Sequence, residues 1–274
     1  MNIITISRQV GAYADLIAAT VARKMGLEFI DRDRVHQVAL SCDPEYGDLC
    51  TIYETEHGPG FFERLFFDRP SYTSLFEALT FEQAAQENVV IMGRGAQLVL
   101  RDVPGVFRAR IVATLDVRVL RIMERHGLSR EEAEDFIHKH EHERDRLIRS
   151  IFRSDPNDWS LFDIIINTAQ YSPANAADVL IEAIKKKEKV PDKEDVREML
   201  RDRAFAKRVE TVIRRRLTSA VAGNVVVTAE PGGVIRLSGR IAEEKDKNKA
   251  AKVALGFPGV TRVENDVKVT EITF

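Results

Sequence analysis

The sequence is poor in cysteine and contains no long apolar run. Its 274 residues include only two cysteines, Cys42 and Cys50, which are too few for a disulfide framework and whose spacing fits no metal-binding knuckle. We interpret them as reduced, structural thiols. No apolar stretch approaches the roughly 18 residues that span a bilayer, and the N-terminus lacks the basic region of a signal peptide. We therefore expect a cytoplasmic protein without a transmembrane segment.

The chain also lacks an excess of charge of either sign. Its formal net charge is −2, which gives no bulk preference for nucleic acid, so we expect no nucleic-acid partner. Residues 1–191 carry a net charge of −6 and residues 192–274 one of +4. A length of about 150 residues per domain predicts two domains. We place them at residues 1–184 and 200–274, joined by a charged linker at 185–199.

Short apolar strands alternate with helical patterns in the N-terminal region. Uninterrupted apolar strands separated by helices are typical of a parallel sheet that is covered on both faces. The predicted strands are Ile3–Ile6, Glu28–Ile30, Val89–Met92, Ala109–Ala113 and Asp163–Ile166. Between residues 42 and 88 we expect a helical insertion whose phenylalanines belong to the core or cover a cleft: Phe61, Phe62, Phe66, Phe67, Phe76 and Phe81. The fold class that follows is α/β.

The C-terminal region has a different order of elements. A strong turn signal, Pro231-Gly232-Gly233, separates two β-rich runs. The predicted elements are the helix Phe205–Leu217, the strands Val225–Ala229 and Val234–Ser238, the helix Glu243–Leu255 and a last strand. The order α-β-β-α-β predicts a small α+β domain of ordinary size.

The stretch SRQVGAYAD, residues 7–15, lies between the first strand and a helix predicted over Asp15–Met25. A helix N-terminus after a strand offers backbone N–H groups and a positive dipole end to phosphates. A phosphate loop normally adds several glycines, a lysine, and a serine or threonine for Mg²⁺. This stretch has one glycine, Gly11, and no lysine, so its residues alone leave two alternatives: a phosphate loop that has lost groups, or an ordinary turn.

Several arginines follow predicted strands or share helix faces. Arg94 follows a buried strand and is expected at the carboxyl edge of the sheet, where ligands bind in open α/β folds. Arg121 and Arg125 are four residues apart on one helix face, and a later helix adds Arg144 and Arg149. Arginines that converge from different elements suit a multiply charged phosphate substrate. The alternative for each one is a solvated surface paired with glutamates.

Two smaller signals lie between these arginines. Ser129 and Glu132 have the spacing of a capping box and predict the start of a helix. His138 and His142 are also four residues apart, a spacing that can bind a metal. Only two ligands are evident, so we expect an exposed helix face and no metal site.

Four segments together resemble the cytidylate kinase-like family of P-loop proteins in their order and spacing. They are ITISRQVGAYADLIAATVARKMGLEFIDRDRV, VVIMGRGAQLVLRDVPGVFRARIVA, RVLRIMERHGLSREEAEDFIHKHEHERDRLIRSIF and SLFDIIINTAQYSPANAADVLIEAI. The resemblance covers nearly all of residues 1–184. It implies a P-loop kinase-like parallel sheet with helices on both faces, and phosphoryl transfer from ATP with Mg²⁺ to a nucleoside monophosphate or a similar small acceptor.

The resemblance also implies roles for individual residues. The residues implied in catalysis are Arg8, Arg121, Arg125, Arg144 and Arg149. Those implied in binding the nucleotide and its phosphates are Ser7, Gly11, Ala12, Asp15, Asn167 and Thr168, of which the last two would approach the donor base. Those implied in binding the acceptor are Asp31, Arg34 and Arg94.

The chain departs from the family pattern at the loop. Ala12-Tyr13-Ala14 stands where family members usually have a glycine-rich run, and Ala14-Asp15 stands where cytidylate kinases have lysine and then serine. Gln37 replaces an arginine expected after Asp31. An alternative function is therefore a catalytically inactive nucleotide or metabolite sensor that signals through the C-terminal domain, and a third is an interaction module that binds no nucleotide.

The C-terminal region resembles a BON domain over about residues 200–272. The likeness rests on Gly239 after the second strand and on the pattern Gly259, Val260, Val263, Asn265 and Val267. It implies a phospholipid, a ligand or a protein as partner of this domain.

Overall fold

The structure is a computed structural model that describes residues 2–31, 61–93, 95–187, 193–217 and 224–270, with only the backbone described for residues 61–70. The chain forms two compact units. The first combines residues 1–32 with 86–193, and the second combines residues 33–85 with 194–274. Among the described residues, none of the helices has both the length and the apolar character that crossing a bilayer requires.

The strands and helices of the described ranges are labelled in chain order. The first twelve are β1 Ile3–Arg8, α1 Ala14–Met25, β2 Glu28–Ile30, α2 Phe61–Ala85, β3 Val89–Met92, α3 Ala96–Val99, β4 Val106–Val112, α4 Leu115–His126, α5 Arg130–Phe152, β5 Ile164–Asn167, α6 Pro173–Lys186 and α7 Lys193–Arg216. The last five are β6 Val225–Glu230, β7 Val234–Ile241, α8 Glu244–Leu255, β8 Arg262–Asn265 and β9 Lys268–Val269.

The first unit contains the predicted parallel sheet. Its five strands lie in the order β2-β3-β1-β4-β5, and every neighbouring pair is parallel. Apolar residues of β1, β3 and β4 pack against α1 and α6 in one buried cluster. Because the strands are parallel, their carboxyl ends share one edge, and the residues after β1, β3, β4 and β5 meet there.

Helices α4 and α5 form a hairpin beside that edge. Ser129 and Glu132 make both bonds of the predicted capping box at the start of α5. A small apolar cluster joins the two helices, and Val10, from the loop after β1, packs against it. The loop is therefore held by the hairpin as well as by the sheet.

The second unit contains the predicted α-β-β-α-β order, here as α7-β6-β7-α8-β8, followed by the short strand β9. Strands β6 and β7 are antiparallel, while β8 and β9 both pair with β7 in parallel. Apolar residues of α7, α8 and the strands form its core.

Three details differ from the sequence predictions. Helix α2 groups with the second unit, while the predicted N-terminal domain, residues 1–184, includes it; that boundary stays a prediction. The predicted linker 185–199 is partly helical, because α6 ends at Lys186 and α7 begins at Lys193. Val196 and Leu200, in the first two turns of α7, are buried. Gly239 lies within β7 and not after it, since β7 continues to Ile241 and pairs there with β9.

Helix α2 packs against α7 through buried polar groups. Glu210 of α7 is fully buried; it accepts hydrogen bonds from Ser74 of α2 and from the N–H of Val227, and it forms ion pairs with Lys207 and Arg214. Burial alone would lower the pKa of Lys207, but the neighbouring carboxylates outweigh burial and raise it.

Of the phenylalanines predicted for this segment, Phe76 and Phe81 are buried as expected.

Candidate functional site

The loop between β1 and α1 is short and has two residues in left-handed backbone conformation. Gly11 has φ 78° and Tyr13 has φ 61°. Tyr13 occupies the position before the first residue of α1 and makes no side-chain bond to the helix N-terminus. A tyrosine in this conformation is uncommon, because the Cβ atom crowds the backbone at positive φ. The loop thus keeps a backbone shape that glycine adopts freely, with an aromatic side chain in the glycine's place.

Gly11 approaches helix α4 closely. A Cβ atom added to Gly11 would lie 3.0 Å from the carbonyl oxygen and 3.1 Å from the Cβ of Arg118. Only glycine fits this contact without a shift of the loop or of the helix.

We predict that Gly11→Ala destabilises the first unit by about 2–3 kcal/mol, combining left-handed strain with overpacking. Gly127→Ala is a matched control, because Gly127 has φ 68° and a Cβ atom added there would meet nothing within 4 Å; it should cost about 1 kcal/mol. Urea unfolding followed by hydrogen exchange of peptides from β1 and α1 measures both. Equal losses in the two variants would show that the contact with Arg118 is not restrictive.

Arg121 connects the loop to the end of β5. Its guanidinium donates to the carbonyl of Gly11 at 3.3 Å and to the hydroxyl and carbonyl oxygens of Thr168 at 3.0 and 2.7 Å. Thr168 is buried and its hydroxyl donates in turn to the carbonyl of Ala12. The carbon at the centre of the Arg121 guanidinium lies 4.2 Å from the centre of the Tyr13 ring, a cation–π contact. Burial lowers the pKa of Arg121; Tyr13 acts to raise it, but its effect is smaller.

Arg118 and Glu141 connect the loop to the hairpin. Arg118 is buried and donates to the carbonyls of Ala113 and Val10 at 3.1 and 3.2 Å. It also donates to Glu141 Oε1 at 2.9 Å, and the same oxygen accepts the N–H of Val10 at 3.2 Å. The backbone of Val10 is thereby bonded on both its N–H and its C=O to the α4–α5 hairpin.

Arg8 is the last residue of β1, Arg110 lies within β4, and both act electrostatically on Arg144 of α5. Burial and the nearby Arg8 lower the pKa of Arg144 to about 10, and Arg110 adds to the effect. Arg110 is itself buried, which lowers its pKa, and it donates to the carbonyl of Pro156 and to Asn157. The carboxylates of Glu141 and Asp145 act in the opposite direction on the pKa values of Arg110 and Arg144, so this group of side chains contains charges of both signs.

The turn after β3 lies next to this group. Gly93 and Gly95 both have positive φ, at 83° and 79°, and a Cβ atom on Gly93 would lie 3.1 Å from Arg8 Nη1. Arg8 therefore lies beside Gly93, which follows the end of β3. Arg94 itself and Arg34 lie outside the described residues. Asp31 is half-buried directly after β2.

The predicted arginines are brought together only in part. Arg8 and Arg144 lie near each other, and Arg121 contacts the loop. Arg125 is exposed and pairs with Asp15 at 3.3 Å, and Arg149 is exposed and pairs with Asp155 at 2.8 Å. These last two arginines thus each engage an exposed carboxylate of the chain itself.

Sequence reasoning missed the residues that fix the loop. Arg118 and Glu141 each stand three residues before a predicted arginine, so a repeated i, i+3 spacing was the available signal. Gln9 was also missed; its side chain accepts the N–H of Ala113, and its own N–H donates to the carbonyl of Ile111. His138 and His142 are exposed, and the described residues contain no group of three metal-ligating side chains.

Comparisons with known proteins bear on both units. The model of the cytidylate kinase-like family matches residues 3–170, and that of the BON domain matches residues 206–271. A cytidylate kinase of Pyrococcus horikoshii is 33% identical over 103 residues, which is 38% of this chain and about half, 53%, of that enzyme's length. A cytidylate kinase of Pyrobaculum aerophilum is 24% identical over 66% of this chain and 92% of its own.

One solved structure shows the same fold. An uncharacterized protein from Eubacterium ventriosum superposes with a TM-score of 0.53 at 22% identity, over 68% of this chain and 100% of that one. Over 68% of its length the chain thus has a fold that a separate protein also adopts.

Proposed function

Since this chain belongs to the cytidylate kinase-like family, we propose that its first unit binds the phosphates of a nucleotide at residues 7–15 and acts as a nucleotide sensor with little or no phosphoryl transfer. The observation that carries the proposal is the state of the loop. Tyr13 holds the left-handed position before α1, and its ring contacts Arg121, whose N–H groups already bind Gly11 and Thr168. A guanidinium engaged in this way is not available to follow a transferring phosphoryl group.

The anion-binding parts of the site remain. Helix α1 presents its N-terminus at the end of β1, and Arg8 and Arg144 add two cations that lie near each other. We assign these groups, with Ser7, Gly11 and Ala12, to the phosphates, and Asn167 and Thr168 to the donor base. The charge on the arginine pair favours a polyphosphate over a neutral ligand.

Mg²⁺ fits the loop through Asp15. A carboxylate is a ligand type that Mg²⁺ accepts, commonly together with substrate phosphates and water. Asp15 would hold the ion and Arg125, its ion-pair partner, would turn to the phosphates. The ion would supply charge neutralisation between phosphate oxygens.

Phosphoryl transfer from ATP to a nucleoside monophosphate or a similar small acceptor is the second candidate. The proximity of Arg8, Arg144 and Gly93 favours it, because cations at that edge would neutralise charge on a transferring group. In this case Asp31, Arg34 and Arg94 would bind the acceptor.

A sensor needs a route to the second unit, and we propose that the covalent connection between α2 and β3 is that route. Helix α2, which packs in the second unit through Glu210, continues through residues 86–88 directly into β3. Strand β3 leads to the turn at Gly93, beside Arg8. We propose that the BON-like region relays nucleotide occupancy to a phospholipid, a ligand or a protein partner.

We predict that the chain binds ATP and that Arg8→Ala weakens this binding about tenfold, the value of one charge-assisted contact. Arg101→Ala serves as control, since Arg101 is exposed and pairs with the adjacent Asp102. Calorimetric titration with and without Mg²⁺ measures all three proteins. No binding by the wild type at millimolar ATP would contradict the proposal.

A coupled assay over nucleoside monophosphates separates the two candidates. A protein that binds ATP without consuming it, at enzyme concentrations in the micromolar range, supports the sensor. Turnover that Arg144→Ala abolishes would instead support the kinase.

A further inference from the structure

We infer that the carboxylate of Glu141 occupies the loop in place of a ligand anion, and that nucleotide phosphates displace it and thereby release helix α5 from the loop. The inference rests on the proposed nucleotide binding and names how occupancy is converted into a structural change. It assigns to Glu141 an autoinhibitory contact.

The partners of Glu141 are those of a phosphate oxygen. Its Oε1 atom accepts the backbone N–H of Val10 at 3.2 Å and the guanidinium of Arg118 at 2.9 Å, and it lies 3.6 Å from Arg144 Nη2. One backbone amide of a loop and two arginines are the groups that bind phosphate oxygens in proteins. Helix α5 thus supplies an internal anion to the residues that would receive an external one.

The loop can lose this carboxylate and stay folded. Arg118 keeps its bonds to the carbonyls of Ala113 and Val10, and Val10 keeps its packing against the α4–α5 cluster. Glu141 is 22% exposed, so its side chain can turn to solvent. Departure of Glu141 therefore removes contacts between the loop and α5. The two hydrogen bonds by which Arg118 supports the loop remain.

Entry of a polyphosphate favours that departure. Each phosphate brings negative charge beside the carboxylate of Glu141. Like charges that share the same hydrogen-bond donors repel strongly in a partly buried site. The incoming oxygens also take over from Glu141 in compensating Arg144, which lies 3.6 Å from that carboxylate and is also faced by Asp145. When Glu141 leaves, the N–H of Val10 no longer joins the loop to α5, and that helix is freed at its middle turn.

The test compares Glu141→Gln with Glu134→Gln by calorimetry, using inorganic tripolyphosphate and ATP as probes. The first substitution keeps the shape of the side chain and an acceptor oxygen but removes the charge. Glu134 is on the same helix and pairs with Arg130 one turn earlier, where both side chains are exposed, so its substitution controls for general charge. We expect Glu141→Gln to bind tripolyphosphate about tenfold more tightly and Glu134→Gln to stay within about twofold of the wild type.

A second measurement uses the unmodified protein. Addition of tripolyphosphate should speed hydrogen exchange in peptides covering residues 138–148 of wild-type α5, an effect that a purely structural Glu141 would not produce. Slower exchange there on addition of tripolyphosphate would overturn the inference even if Glu141→Gln proves unstable.

The outcomes separate this inference from the proposed function. Binding by the wild type with no gain in Glu141→Gln overturns the role of Glu141 and leaves nucleotide binding intact. Absence of binding in the wild type and in both variants overturns nucleotide binding and this inference with it. Binding by Glu141→Gln with none by the wild type would show that phosphates cannot displace Glu141 in the native chain, and would overturn both the displacement and the proposed function.

Discussion

Gly239→Ala should destabilise the second unit by about 4 kcal/mol, enough to remove most of the stability of a small domain. Gly239 lies within β7 with φ 111°, and a Cβ atom there would lie 1.9 Å from the carbonyl oxygen of Asn224. That oxygen belongs to the backbone, so no side chain can move to make room. Relief requires separating β6 from β7 at the pair Val225–Gly239, where the pairing of the two strands begins. Hydrogen exchange of peptides from both strands measures the loss.

Gly232→Ala is the matched control for this prediction. Gly232 has φ 79°, so alanine carries left-handed strain there as well, but a Cβ atom at this position would meet nothing within 4 Å. We expect a cost of about 1 kcal/mol. Similar protection of β6 and β7 in the two variants would mean that the β6–β7 pairing tolerates a side chain at Gly239.

Arg118→Met should destabilise the first unit by about 3 kcal/mol, the usual cost of removing one partner from a buried ion pair. Methionine fills similar volume but leaves the carbonyls of Val10 and Ala113 without their donor and leaves Glu141 with less compensation. We also expect tripolyphosphate binding to fall, because the loop loses its support. Urea unfolding with exchange of α1 peptides measures stability, and calorimetry measures binding.

Arg130→Met is the control for Arg118. Arg130 pairs with Asp116 and Glu134, but about half of its side chain is exposed, and exposed pairs contribute little. Its replacement should cost under about 1 kcal/mol. If Arg118→Met also lost under about 1 kcal/mol of stability, the loop would not depend on the three hydrogen bonds of Arg118.

Much of the fold was predictable because apolar periodicity and turn residues are local signals. Strands β2 and β3 have the predicted bounds, and the capping box of α5 was evident from Ser129 and Glu132. Helix α7 begins twelve residues before the predicted start at Phe205. Its first turns are rich in charge, and the prediction overlooked the helical spacing of Val196 and Leu200, which are both buried.

The sequence predicts which types of residue form the site, but it does not predict which residues they contact. The spacing of Arg121 and Arg125 identified a helix face, yet their partners, Thr168 and Asp15, are 47 and 110 residues away along the chain. Arg118 resembled any helical arginine in sequence, and its importance comes from the carbonyls that the ends of β1 and β4 direct toward it. Such long-range pairings depend on the order of the strands in the sheet. A local sequence pattern does not predict that order.

The bond from the N–H of Val227 to buried Glu210 bears on self-association. Among the described residues, strand β6 is an edge of its sheet, and an edge strand with free N–H groups is a template on which other chains can add a strand. Here an incoming strand would have to displace a carboxylate that is held by Lys207, Arg214 and Ser74. The same residue that joins α2 to α7 thus makes this edge a poor starting point for aggregation.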